Sequence, residues 1–155
     1  MSSKKPRIST KLVFFGTGPT SLEALEGLAE EFEIELIVTK PPARNAAGKS
    51  FLNPVHNWAV QNNCDIITPA SKADLEAAIL SKKLESKLGI VLDYGMIIPA
   101  KVIDAFPLGI LNSHFSLLPK YRGANPIRAA ILGGDKTTGI TIIKITPGLD
   151  DGPIL

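Results

Sequence analysis

The stretch KLVFFGTGPT, residues 11–20, decides the fold. Residues 11–16 form a short apolar run ending in glycine, which predicts a buried strand. Gly16-Thr17-Gly18-Pro19 then turns the chain. Pro19 and Thr20 open a helix whose apolar residues, Leu22, Leu25, Leu28 and Ala29, fall close to helical spacing. Residues 33–38 alternate polar and apolar before turning apolar, and predict a second strand. A strand, a glycine turn, a helix and another strand make the repeating unit of a parallel α/β sheet.

The rest of the chain continues the alternation. Residues 40–53 contain two prolines, a glycine and several small residues with no apolar period, and predict a long loop. A helix is expected over 54–61 with Pro54 in its first turn, and a short strand over 64–68. Another helix is expected over 72–84 with Ser71 as N-cap. Residues 88–92 are a strongly apolar strand, and 98–106 a turn of helix with loop. Residues 109–112 give the next strand, and 125–132 a helix stopped by Gly133 and Gly134. The β-branched run 138–145 gives the last strand, and 147–153 a loop. The expected architecture is a doubly wound, mostly parallel, Rossmann-like sheet, whose ligands bind at the carboxyl ends of the strands.

The composition narrows the function classes. The 155 residues carry 17 basic and 15 acidic side chains, a net charge of +2, so a chain-wide basic field for RNA is absent. Acidic residues gather from Glu23 to Glu35, which reads as a solvated helix face; basic ones gather at the N-terminus (Lys4, Lys5, Arg7, Lys11) and between Lys40 and Lys49. The single cysteine, Cys64, excludes an internal disulfide and a cysteine-rich metal site. No apolar run is long enough to span a membrane. The first residues are polar and basic without an apolar signal region, so 1–10 is expected to be a tail and the compartment the cytoplasm. The tail is short for a mitochondrial presequence, which stays open as the alternative.

Two places can carry chemistry. Gly16-Thr17-Gly18-Pro19 sits where a phosphate could be cradled, but it lacks the third glycine of a dinucleotide fingerprint and the Gly-Lys-Ser/Thr end of a P-loop. A tight turn is the preferred reading. The stronger segment is NSHFSLLPKYRG, residues 112–123. Asn112 and His114 lie at the carboxyl end of a strand, and a period of two lets both side chains point the same way. An amide donor beside an imidazole suits stabilisation of an oxyanion and transfer of a proton. Asp150, in the loop after the last strand, can orient the ring and favour its protonated form, provided that the fold brings the two together.

The pattern Asn-x-His-x-Ser-Leu-Leu-Pro-x-Tyr-Arg-Gly at 112–123, with Gly-Leu-Asp-x-Gly at 148–152, resembles the signature of the formyltetrahydrofolate-dependent formyltransferases. Residues 91–99 (VLDYGMIIP) are similar to that family's strand and loop beneath the pterin ring. Residues 15–17 resemble its first turn, and 139–141 the strand before its aspartate loop. The resemblance implies 10-formyltetrahydrofolate as formyl donor, no metal, and three catalytic residues. Asn112 would hold the formyl oxygen, His114 would share that task and move a proton, and Asp150 would hold His114. Ser116, Leu117, Leu118 and Pro119 would line the folate site together with Val91, Tyr94, Gly95 and Ile97. Phe115 departs from the small residue or proline usual at its place.

The acceptor amine is read from the loop. Thr39-Lys40-Pro41-Pro42, Ala47-Gly48-Lys49 and Asn53-Pro54-Val55 resemble an insertion in the members of this family that act on methionyl-tRNA. Lys40, Arg44, Lys49 and Arg122 are the expected contacts to the acceptor end of initiator tRNA. Ala47 stands where those members commonly carry arginine, and Arg44 lies nearby. The resemblance implies that 11–155 is a partial catalytic domain without a C-terminal tRNA-binding domain, acting as a monomer. A small amine acceptor (glycinamide ribonucleotide or an amino sugar), a folate-binding protein without catalysis, and a generic nucleotide-binding domain are the competing readings.

Overall fold

The computed structural model describes residues 8–44 and 46–155. Among the described residues thirteen elements follow one another: β1 (Ile8–Gly16), α1 (Pro19–Glu31), β2 (Phe32–Val38), β3 (Ala43–Arg44), β4 (Ser50–Phe51), α2 (Pro54–Gln61), β5 (Ile66–Ile67), α3 (Lys72–Leu80), β6 (Leu88–Leu92), α4 (Ala100–Asp104), β7 (Gly109–His114), α5 (Pro126–Leu132) and β8 (Thr141–Lys144). Six strands form one sheet in the order β5-β2-β1-β6-β7-β8. The first five are parallel, and β8 runs antiparallel to β7. Of the tail expected over 1–10, residues 1–7, with Lys4, Lys5 and Arg7, lie outside the described residues. Residues 8–10 already belong to β1.

Period two explains why residues 12–15 of β1 are continuously apolar. Val13 and Phe15 pack on one face of the sheet with Leu36, Val38, Leu75, Ile79, Val102 and Phe106. Phe14 packs on the other with Leu25, Ile37, Val55 and Ala59. Both faces are covered by helices over residues 12–15, which are all apolar, while the polar Ser9, Thr10 and Lys11 occupy the start of the strand. The chain order reverses between β1 and β6. The glycine turn lies at that reversal and is tight: a Cβ on Gly16 would come within 2.5 Å of Phe14 and 2.8 Å of Ser21. The Thr17 amide donates to Ser21 Oγ (3.1 Å), and the Ser21 hydroxyl donates to the Leu92 carbonyl (2.5 Å), which ties β1, α1 and β6 together.

Three elements differ from the sequence reading. The loop at 40–53 contains a small hairpin, with Ala43 opposite Phe51 and Arg44 opposite Ser50. Asn53 closes its base: its Oδ1 accepts from Thr39 Oγ1 (3.1 Å) and from the His56 amide (2.9 Å), and its Nδ2 donates to the Lys40 carbonyl (3.1 Å). Helix α3 starts after Ser71 as expected but stops at Leu80. The last strand runs antiparallel to β7, with Thr141 opposite His114 and Lys144 opposite Leu111.

The loop after α3 is held by Glu35 on β2. Its carboxylate accepts from the amides of Glu85 (2.8 Å) and Ser86 (2.7 Å) and from Ser86 Oγ (2.5 Å). Burial by itself pushes the Glu35 carboxyl up. The Glu85 amide, the Ser86 hydroxyl and amide, and the charge of Lys11 outweigh it and hold the group below the usual carboxylate range. A value lower in the folded than in the unfolded chain gives stability that is present at neutral pH. It is lost as pH falls below the ordinary glutamate value of about 4.3. Glu35→Gln is therefore expected to destabilise by about 1 kcal/mol at pH 7, the low end for bonds to a partly solvated charge. Urea unfolding should show the difference shrinking at pH 3; an equal loss at both pH values would contradict this role.

Candidate active site

β7 delivers Asn112 and His114 to the carboxyl end of the sheet, two positions apart and on one face. Val91 of β6 and Ile143 of β8 are the register partners of Asn112 on either side. Together these strands floor a cleft of about 630 Å³, walled by residues 93–98 after β6, residues 123–126 at the start of α5 and residues 145, 146 and 148–152 after β8. That volume suits a cofactor-sized or substrate-sized molecule.

His114 is only 6% exposed and has acceptors on both ring nitrogens. Nε2 lies 2.8 Å from the Tyr121 carbonyl, which can only accept, so Nε2 carries a proton. Nδ1 lies 3.5 Å from Asp150 Oδ2. The same carboxylate accepts from the Gly123 amide at 2.7 Å and faces Asn112 Nδ2 at 3.5 Å. Asp150 thus meets His114 and Asn112 through a single side chain. One amide hydrogen of Asn112 remains for a ligand in the cleft, and a proton placed on Nδ1 of His114 finds a carboxylate beside it.

The loops that complete the site are held in unusual conformations. Tyr121 (φ 57°), Asn125 (φ 59°) and Asp150 (φ 47°) are left-handed without being glycine. Each such residue costs about 1 kcal/mol or more, a cost that clusters at functional sites. Lys120 supports Tyr121 from outside: its ammonium pairs with Asp135 at 2.9 Å and lies 5.4 Å above the Tyr121 ring.

A sequence model of the formyl transferase family matches residues 10–155. The chain belongs to the formyl transferase family. It is 43% identical over 147 residues to a methionyl-tRNA formyltransferase of Paramagnetospirillum magneticum, covering 94% of this chain and 48% of that protein. To the enzyme of the same name from Acetivibrio thermocellus it is 38% identical, with 94% and 47% covered. The chain therefore spans about half the length of the curated relatives it matches. Among solved structures it is similar to a phosphoribosylglycinamide formyltransferase from Streptococcus pneumoniae TIGR4. The TM-score is 0.74 at 27% identity, with 96% of this chain and 79% of that chain covered.

Within this formyl transferase domain the residues singled out in the sequence divide into three groups. Asn112, His114, Asp150, Val91, Tyr94, Gly95, Ile97 and Lys40 all line the one cleft. Ser116, Leu117, Leu118 and Pro119 do not. The chain turns off β7 with the Ser116 amide bonded to the His114 carbonyl, and runs behind the histidine. There the fully buried Ser116 donates to the Lys120 carbonyl (2.6 Å). Thr141 Oγ1 donates to the Ser116 carbonyl (2.6 Å) and accepts from the Leu118 amide (3.1 Å). This segment buttresses His114 instead of lining the cleft. Arg44 and Lys49 belong to the exposed hairpin region and Arg122 is exposed outside the cleft lining. Among the described residues, no group of three or more His, Cys, Asp or Glu is placed to hold a metal ion.

Backbone groups are what the sequence could not announce: the Tyr121 carbonyl and the Gly123 amide complete the surroundings of His114 and Asp150. Tyr94 also gains a specific reading. Its ring is 2% exposed and packs edge-on to Phe15 at 5.7 Å, and its hydroxyl has no partner among the described residues. Burial pushes that phenol up to about 12. Removing a buried, unbonded hydroxyl costs nothing and spares its desolvation, so Tyr94→Phe should match or exceed the parent by up to about 1 kcal/mol in unfolding experiments. A marked loss of stability would show that the hydroxyl is bonded.

Proposed function

We propose that the protein transfers the formyl group of 10-formyltetrahydrofolate to the amino group of methionine on initiator tRNA. The observation that carries the chemistry is the convergence of Asn112, His114 and Asp150 at one cleft wall. The attacking amine forms a C–N bond to the formyl carbon, whose oxygen becomes an oxyanion. The free amide hydrogen of Asn112 is placed to stabilise that charge. Collapse breaks the bond to the folate nitrogen, which takes up the proton that the amine gives up. His114, backed by Asp150, is the group able to carry it. Residues 91–97 fit a flat heterocycle: Val91 and Ile97 supply apolar surface, and the 93–97 segment supplies backbone donors and acceptors.

The acceptor is inferred from the names of the relatives and from the 40–53 segment, where Arg44 and Lys49 project on a hairpin anchored by Asn53. Two separated cations on a short ribbon suit a phosphodiester backbone. Initiator tRNA as partner and the cytoplasm as setting belong to the same reading. Among the described residues no helix is long and apolar enough to cross a membrane. Glycinamide ribonucleotide is the competing acceptor, favoured by the likeness to solved glycinamide formyltransferases.

Labelled formyl transfer from 10-formyltetrahydrofolate to methionyl-tRNA and to glycinamide ribonucleotide, run side by side, tests the assignment. Transfer to methionyl-tRNA is expected, with Asn112→Ala lowering kcat by about 10²–10³ at an intact fold. Transfer to glycinamide ribonucleotide alone would overturn the acceptor, and full turnover by Asn112→Ala would overturn the role of the amide.

A further inference from the structure

The contacts of Asp150 with His114 and Asn112, both 3.5 Å, stand at the outer limit of hydrogen bonding. A shift of half an ångström would lose both. Asp150 is moreover left-handed at φ 47°, a conformation open to aspartate but less favoured than the right-handed one. Contacts within the 146–152 loop can hold it there.

Asp151 is placed to do so. Its Oδ1 accepts from Thr146 Oγ1, closing the loop across five residues. Its carboxylate lies directly on Gly148, where any Cβ would overlap it. Gly152 in turn lies against the Lys144 carbonyl with no room for a side chain, and the Lys144 amide donates to the Pro153 carbonyl at 2.9 Å. The loop is thus cinched between Thr146 and Asp151, with Asp150 one residue inside the knot. Neither Asp151 nor Thr146 touches His114 or Asn112 in any of the contacts that define the site.

We infer that Asp151, through its bond to the Thr146 hydroxyl, is a positioning residue that holds Asp150 in register with His114 and Asn112. This rests on the formyl-transfer reading for its kinetic consequence. The role requires an acceptor oxygen on residue 151 and a hydroxyl on residue 146; it does not require the negative charge of Asp151. That separates it from the alternative in which an exposed aspartate at the cleft rim meets a ligand directly.

The test uses Asp151→Ala, Asp151→Asn, Thr146→Val and Thr146→Ser, with thermal unfolding as a check of fold. Asp151→Ala and Thr146→Val should each lower kcat roughly tenfold, the scale of releasing a left-handed residue, with KM for donor and acceptor held within about twofold. Asp151→Asn and Thr146→Ser should restore kcat, and the double variant Asp151→Ala/Thr146→Val should be no slower than either single one. A second readout is independent of catalysis. The sequence has two histidines, His56 and His114, so the ring signals of His114 can be followed by NMR. They should move in Asp151→Ala and Thr146→Val in the direction seen in Asp150→Ala. Parental kcat in Asp151→Ala, failure of Asp151→Asn to rescue, additive losses, or unmoved His114 signals would each overturn the inference. Absence of transfer by the parent protein to any amine would sink the formyl-transfer reading instead, and the His114 signals would still decide the positioning role.

Discussion

Asp150 brings a carboxylate to 3.5 Å from an imidazole that is almost wholly withdrawn from water. A buried ring with acceptors on both nitrogens and a partly buried carboxylate are each costly alone. They offset one another only if the loop that carries Asp150 stays where the strand that carries His114 needs it. Most of the local architecture is explained by that requirement. The Gly123 amide bonds the carboxylate, the Tyr121 carbonyl fixes Nε2, and left-handed residues at 121, 125 and 150 bend the loops to reach these places.

The sheet and the loops divide the work. β7 sits inside the sheet between β6 and β8, so Asn112 and His114 inherit the rigidity of a strand bonded on both sides. The floor of the cleft is therefore set by packing that has little freedom to change. The loops, by contrast, are held by a few polar contacts: Thr141 to the 116–118 segment, Asn53 to the base of the hairpin, and Asp151 to Thr146. In the proposed reaction the acceptor is met by loops held by few contacts, while Asn112 and His114 stand on a strand bonded on both sides.

The parallel core was legible because the strands buried on both faces leave unbroken apolar runs, and because Ser71 and Pro54 mark helix starts by their own chemistry. Spacing on a strand let Asn112 and His114 share a face, but their catalytic reading, like that of Asp150, came through the resemblance carried by residues 112–123 and 148–152. The direction of β8 was not legible, because alternation is the same for either direction. The hairpin at 43–51 escaped because two residues per strand carry no period. The path of the 116–119 segment was not legible for a similar reason: the course of a chain leaving a strand is set by partners such as Thr141 Oγ1 and the Lys120 carbonyl, which no local pattern encodes.

In the proposed reaction the charge of Asp150, held against His114, is what makes this cleft catalytic. The most direct test of that role is the single-turnover rate of formyl transfer by Asp150→Asn, which keeps the size of the side chain and an acceptor oxygen for the Gly123 amide while removing the charge. The account predicts an intact fold and a rate reduced by about 10² or more, within the range contributed by a positioned proton-transfer group. A rate close to that of the parent protein would contradict it, and would leave Asp150 as a structural member of its loop.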